Sequence, residues 1–235
     1  ILASFSFDLS FDPAFTEQAE AIPVGSTFRL DGQTLTITTA EIYPTHVRIN
    51  VEGDPGNTVW LKELDFYLEN ENGERFEAVS NGVSASGDPD TPAMKSFRLE
   101  SPWFADSKHL TLHITGADWL DKGMERIRVD LVNGTADRLP EGVALKEVHR
   151  RGDGTVLEFR VAGAPFAHRQ VFESRYFLED GTEANILEYS WTYDDEAGTG
   201  TVWLPLKGCH EDAVLLVPLY SRSAAAEPEV VIPIR

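Results

Sequence analysis

The chain has 235 residues, of which 42% are hydrophobic, and it carries a formal net charge of −19 at pH 7. This length has room for two domains of the usual size, each with a core of its own. So acidic a chain offers no basic surface to phosphate groups, which argues against nucleic acid and anionic lipid headgroups as partners. Cys209 is the only cysteine, so a scaffold held together by disulfides within the chain is excluded.

Hydrophobic and polar residues alternate in short runs along the first half, as they do in strands with one buried face. These runs are Leu35–Ile37, Val47–Val51, Leu64–Leu68, Phe97–Leu99, Leu110–Ile114 and Ile127–Leu131. Dipeptides typical of hairpin turns separate them at Asp31-Gly32, Asn72-Gly73, Asn81-Gly82 and Asn133-Gly134. Only Pro13–Ala21 and Asp118–Gly123 are compatible with a helical turn in this half.

The second half continues in the same way. Its runs are Val143–Leu145, Leu157–Val161, Tyr176–Leu178, Ile186–Tyr193, Thr201–Leu206, Val214–Leu219 and Val230–Ile234. Ser221–Pro228 is predicted to be a loop that leads into a last edge strand, because Pro228 and Pro233 cannot donate backbone hydrogen bonds at the centre of a sheet.

One segment of the first half has a counterpart 110 positions later. Residues 47–69 align without a gap to residues 157–179, with six identities and the same alternation of inward and outward positions. A turn comes after both copies, at Asn72-Gly73 and at Asp180-Gly181. The match indicates two modules of related topology.

These patterns predict an all-β protein made of two tandem antiparallel β-sandwich domains of immunoglobulin-like type. The N-terminal domain is expected at 1–133 and the C-terminal domain at 134–235. Turn-forming residues and a proline cluster between Asn133 and Gly142, where the linker is predicted.

Three segments together resemble a known family. They are GSTFRLDGQTLTITTAEIYPTH (25–46), FYLENENGERF (66–76) and the strands between Phe97 and Ile114. They are similar to the extracytoplasmic β-sandwich region of anti-sigma-factor-like membrane proteins of Gram-positive bacteria, a region largely of unknown function. The resemblance covers roughly residues 20–130 and brings no catalytic residue with it.

The resemblance implies a non-enzymatic sensing or binding region on the extracellular side of a bacterial membrane. In that family, a short cytosolic segment and one membrane helix precede the sandwich. The chain begins with Ile1 and not with methionine, so we expect such a segment upstream. The expected partner is a protein, peptide or glycan at the cell surface, and no cofactor is expected.

Histidines and acidic residues give weak signals for metal binding. His109 and His113 lie four positions apart on one predicted strand, about 13 Å apart, which is too far to share an ion. Cys209-His210 offers two ligands where zinc needs more. Asp88-Pro89-Asp90 and Asp194-Asp195-Glu196 do not match the calcium-binding loop pattern. We therefore predict no metal site.

No reaction is indicated either. The segment 82–87 (GVSASG) has one residue too many for the G-x-S-x-G turn of serine hydrolases, and no helix is predicted after it.

Tryptophans are the best binding candidates, because an exposed indole can stack on a sugar or a peptide. Trp103 and Trp119 are predicted to lie in loops and are taken as the possible binding surface. Trp60 has the parity of the core positions of its strand, and the faces of Trp191 and Trp203 are left open. A carbohydrate- or peptide-binding surface module without a signalling role is the alternative function.

Overall fold

The computed structural model describes residues 20–78, 85–86, 93–162, 170–194 and 196–235, and gives only the backbone of residues 85–86. Within these ranges the regular elements are strands, apart from a short 3-10 turn at Trp103–Ala105. The strands form four sheets, and the pairs whose register is defined are all antiparallel. The predicted all-β class is therefore confirmed, and the four sheets are consistent with β-sandwich domains.

We name the sheets A to D and give the strands of each in their spatial order. Sheet A consists of β1 (Glu20–Leu30), β2 (Gln33–Ile42), β3 (Val47–Gly53), β7 (Met94–Leu99) and β6 (Ala85–Ser86). Sheet B consists of β18 (Arg222–Pro233), β8 (Leu110–Asp121), β4 (Val59–Asn70) and β5 (Arg75–Phe76).

Sheets C and D contain the remaining strands. Sheet C consists of β10 (Thr135–Ala136), β9 (Ile127–Asp130), β17 (Ala213–Pro218), β13 (Phe172–Leu178) and β14 (Glu183–Asn185). Sheet D consists of β11 (Val143–Arg151), β12 (Gly154–Ala162), β16 (Thr199–Lys207) and β15 (Ser190–Asp194).

The chain divides into two compact units, and neither unit is continuous in sequence. Unit 1 comprises Ile1–Asn57, Glu63–Ala117 and Ala225–Arg235, and unit 2 comprises Thr58–Lys62 and Asp118–Ala224. Unit 1 thus holds sheet A and the greater part of sheet B, and unit 2 holds sheets C and D. The division into folding domains at residue 133 stays a prediction, because the units are compact groupings and not tests of independent folding.

The two units share one strand order. β2-β3-β7-β6 in sheet A corresponds to β11-β12-β16-β15 in sheet D, and β8-β4-β5 in sheet B corresponds to β17-β13-β14 in sheet C. The repeated sequence segments fall on β3–β4 and on β12–β13. Sheets B and C also exchange the strand next to this common set. β9 comes after β8 in sequence but pairs with β17 in sheet C, whereas β18 comes after β17 but lies beside β8 in sheet B.

Turns and cores agree with the sequence pattern. Asp31 and Gly32 both have positive φ (51° and 74°), as a two-residue hairpin between β1 and β2 requires. In unit 1, Val47, Ile49 and Val51 are buried, as predicted from their alternation. Phe66 of β4 packs edge-on against Phe97 of β7, with ring centroids 5.6 Å apart.

Unit 2 has an equivalent core. Leu157 and Val161 of β12 are buried, as their alternation predicts. The ring of Phe159, between them, lies 4.9 Å from that of Phe172 in β13. In both units, aromatic rings from two sheets therefore meet in the interior.

Two local predictions were wrong. Asp118–Gly123 is not a helical turn, because β8 continues to Asp121. Ser221–Pro228 is not a loop, since β18 begins at Arg222, although β18 is an edge strand as expected. Trp60, expected in the core, is half-buried and packs against the core of unit 2, and the burial alternation of β4 shifts between Leu61 and Leu64. The possible helix at Pro13–Ala21 lies almost wholly outside the described residues.

No helix among the described residues is long and apolar enough to cross a membrane.

Candidate binding face

The outward face of sheet D carries a group of polar and aromatic side chains that contact one another. We define the sheet D face by Glu147 and His149 of β11, Glu158 of β12 and Trp203 of β16. Glu147 is the register partner of Glu158, and Glu158 is the register partner of Trp203. The four side chains therefore lie next to one another across three strands.

A β-bulge in β11 is responsible for this arrangement. The register between β11 and β12 shifts between Leu145 and Glu147, where Lys146 is the extra residue. Without the shift, strict alternation from Val143 would place Glu147 and His149 on the inward face. With it, Val148 pairs with the buried Leu157, and the residues on either side of Val148 point outward.

His149 lies between two carboxylates. Its Nδ1 is 3.6 Å from Oε1 of Glu147, and its Nε2 is 3.5 Å from Oε2 of Glu158. The indole N–H of Trp203 donates a hydrogen bond of 3.2 Å to Oε2 of Glu158. The Glu147 side chain is 65% exposed, whereas that of Glu158 is 29% exposed. One carboxylate is thus fixed by the indole, and the other can move.

The edge strand β15 continues this face with Ser190, the register partner of Trp203. Trp191 is 49% exposed, and Leu187, shortly before the strand, is 75% exposed. Trp191 lies on the other face of sheet D, because its register partner is the buried Val202. An open sheet face with aromatic and carboxylate groups can stack on a ring and accept hydrogen bonds, which are the contacts that sugars and polar peptides use.

The two predicted binding tryptophans lie elsewhere. Trp103 lies in the 3-10 turn at Trp103–Ala105 and is half-buried, with the exposed Phe104 beside it. Its role in binding stays a prediction. Trp119 was expected in an exposed loop, and this was wrong: it lies in β8 with its side chain fully buried. In this structure it cannot contribute to a surface. Trp119 extends the hydrophobic run of β8, which continues past the point where the alternation suggested an end.

Two other histidines, His113 and His46, each stack on a tyrosine. His113 stacks on Tyr67 with ring centroids 4.7 Å apart, and its Nδ1 is 3.2 Å from Oε1 of Glu229. His46 stacks on Tyr43 at 4.6 Å. Burial lowers the pKa of His46, and the nearby guanidinium groups of Arg98 and Arg48 lower it further. Each of these rings packs flat against a tyrosine, which explains its place without a ligand.

Cys209 is buried and free. Its backbone carbonyl accepts a hydrogen bond from Oγ1 of Thr155 at 3.0 Å. A thiol held in the interior is shielded from oxidants and metal ions.

Most other sequence candidates fall outside the described residues. This is the case for Asp88-Pro89-Asp90, for Asp195 and for most of the 82–87 segment. Asp194 is described, and its carboxylate accepts the backbone N–H groups of Glu196 and Ala197 at 3.0 Å, which accounts for it as a turn residue.

Sequence reasoning missed the Glu147–His149–Glu158 group. A signal was available in the spacing of Leu145 and Val148: two inward residues three positions apart within a strand indicate a bulge. That spacing places the E-V-H carboxylate and imidazole on the outward face. The partner Glu158 could be found only from the pairing of β11 with β12.

Comparison with known proteins gives a family without a described role. A model described as a family of unknown function (DUF5643) matches residues 19–142, which is more than half of the chain. No curated protein and no solved structure matches the chain.

Proposed function

Since the chain belongs to the family of unknown function DUF5643, we propose from its own surface that it is a non-enzymatic ligand-binding region. In our proposal it is the extracytoplasmic part of a membrane-anchored regulator that resembles an anti-sigma factor. Binding of a cell-wall glycan or peptide at the sheet D face would be the input of that regulator.

The observation that carries the binding role is the sheet D face, where the Trp203 ring lies beside the carboxylates of Glu147 and Glu158. Trp203 is held by its hydrogen bond to Glu158, so its ring has a fixed orientation, which lowers the entropy lost on binding. The face lies on paired strands and not on loops, which favours a preformed site. The face extends over three neighbouring strands, which suits a polymer that lies across them.

The regulatory role is supported by the resemblance of residues 20–130 to the anti-sigma-factor-like region. The alternative, a surface binding module without a signalling role, uses the same face. The two proposals share the binding step and differ only in whether binding alters transcription, so separate experiments can address them.

Binding is tested by co-sedimentation of the chain with purified, insoluble peptidoglycan. We expect wild-type protein to pellet with the polymer and Trp203→Ala to stay in the supernatant. Trp191→Ala is the matched control, since Trp191 belongs to the same sheet but lies on its other face. Equal pelleting of all three proteins would contradict binding at this face.

Regulation is tested in cells that express the full-length gene. We expect Trp203→Ala to change the transcription of sigma-factor-dependent genes, measured by RNA sequencing against wild type and Trp191→Ala. Binding without any transcriptional effect would leave the surface module as the better description.

A further inference from the structure

Three metal-ligating side chains converge at one end of the sheet D face. Glu147, His149 and Glu158 each offer a ligand atom, and these atoms all lie within 4.8 Å of one another. Imidazole nitrogen and carboxylate oxygen together form a donor set that suits zinc and its neighbours among the first-row metals. We propose that this group binds a divalent transition-metal ion, with zinc as the physiological candidate.

The strands provide the preorganisation that such a site needs. Glu147 and His149 are two positions apart on β11, on the same side of the bulge, and Glu158 is the register partner of Glu147 on β12. The backbones that carry the three donors are thus held by paired strands. Binding an ion then costs only the ordering of side chains, and the exposed Glu147 contributes most of that cost.

Charge favours a cation at this position. Two carboxylates approach one imidazole on a chain with a net charge of −19. A divalent ion among the three groups would offset the mutual repulsion of the carboxylates. The indole N–H of Trp203 orients the Glu158 carboxylate, in the role of the outer hydrogen bonds that orient metal ligands in proteins.

The combination of imidazole and carboxylate ligands also determines which metal ions the site prefers. Calcium and magnesium ions take oxygen ligands almost exclusively, so His149 contributes nothing to their binding. Zinc uses nitrogen and oxygen together and leaves a position for water when the protein supplies three ligands. We therefore expect zinc to bind, and calcium and magnesium to compete poorly.

Isothermal titration of the full chain with zinc chloride tests the proposal. We expect binding in the micromolar range at pH 7.5 that persists in a tenfold excess of calcium. His149→Gln and Glu158→Gln should each weaken it at least about tenfold. His109→Gln is the matched control, because His109 is exposed and lies in unit 1, and it should leave the affinity unchanged.

Glu147→Gln keeps the test independent of folding. This side chain is the most exposed of the three, so its substitution should leave the circular dichroism spectrum and the melting temperature unchanged while it weakens zinc binding. Cobalt absorption gives a second readout, since a bound cobalt ion shows visible bands that His149→Gln should abolish. No zinc binding, or binding that all three variants retain, would overturn the proposal.

This inference does not depend on the proposed function. Binding of zinc without binding of peptidoglycan would support the metal site and refute the glycan ligand. Binding of peptidoglycan without binding of zinc would support the glycan ligand and refute the metal site.

Discussion

Tyr176 lies in the core of unit 2, where its hydroxyl makes the stability of the unit dependent on alkaline pH. Burial raises the pKa of Tyr176 to about 12, and the neighbouring Cys209 adds to the effect through its charge and a hydrogen bond. The unfolded chain releases this proton near pH 10. Between pH 10 and pH 12 the unfolded state therefore binds fewer protons, and the free energy of unfolding falls as pH rises, by up to about 3 kcal/mol from this group.

Replacing Tyr176 by Phe should remove that contribution. Urea unfolding at several values between pH 8 and pH 11.5 should show a shallower loss of stability for Tyr176→Phe than for wild type. Tyr193→Phe, in the edge strand β15, serves as the control and should behave like wild type. Identical slopes for Tyr176→Phe and wild type would show that Tyr176 titrates normally.

Glu71 makes the free energy of unfolding depend on pH in the acid range, where stability falls as the pH is lowered. Its carboxylate accepts the backbone N–H of Lys108 at 3.0 Å and that of His109 at 3.1 Å. These hydrogen bonds lower the pKa of Glu71 to about 2. The stabilisation is thus complete above about pH 4.5, the ordinary value, and is lost as pH falls from there towards 2.

Glu71→Gln should therefore lower the melting temperature at pH 7, and the difference from wild type should shrink steadily as the pH is lowered from 4.5 to 2.5. Glu77→Gln, at another exposed position, should melt like wild type throughout. A pH-independent difference would indicate that hydrogen bonding by the side chain, and not its charge, is what the variant loses.

At the scale of elements, the hairpin between β11 and β12 depends on Gly154. Its φ is +140°, and a Cβ atom there would lie 2.3 Å from the carbonyl oxygen of Leu206 and 2.8 Å from the backbone nitrogen of Gly208. Both neighbours are backbone atoms and cannot rotate away. Gly154→Ala should destabilise the protein by at least about 2 kcal/mol.

Gly152 is the matched control in the same hairpin, because a Cβ there meets no atom within 4 Å. Gly152→Ala should leave the urea midpoint within error of wild type, and Gly154→Ala should lower it clearly. Equal midpoints would mean that β12 and β16 can separate locally at no cost.

An element could be predicted from the sequence when the residues that determine it are close together along the chain. The buried faces of β3 and β12 were predictable from alternation alone, since each side chain's direction is set by its neighbours in sequence. The bulge at Lys146 left a local signal in the spacing of Leu145 and Val148, but the partner Glu158 depends on the register of the β11–β12 hairpin. The extension of β8 to Trp119 depends on pairing partners far along the chain, and such pairing leaves little local signal.

At the scale of the whole molecule, unit 1 depends on the C-terminal residues 225–235. These residues place Ile232 and Ile234 in buried positions. The backbone N–H of Ile234 donates to the carbonyl of Leu110, and the N–H of Leu110 donates to the carbonyl of Arg235. Without them, β8 would become an open edge and buried apolar surface would be exposed to water.

Deletion of residues 225–235 should therefore unfold or loosen unit 1 while unit 2 keeps its core. Hydrogen exchange measured by mass spectrometry should show faster exchange in residues 63–70 and 110–117, and unchanged exchange in β12 and β16. A synthetic peptide of residues 222–235, added in trans, should restore protection, because the missing strand supplies both backbone hydrogen bonds and apolar side chains. A scrambled peptide of the same composition is the control. If the truncated chain retained full protection in unit 1, its sheets would be stable without the strand, and a boundary near residue 133 could separate two independently folding domains.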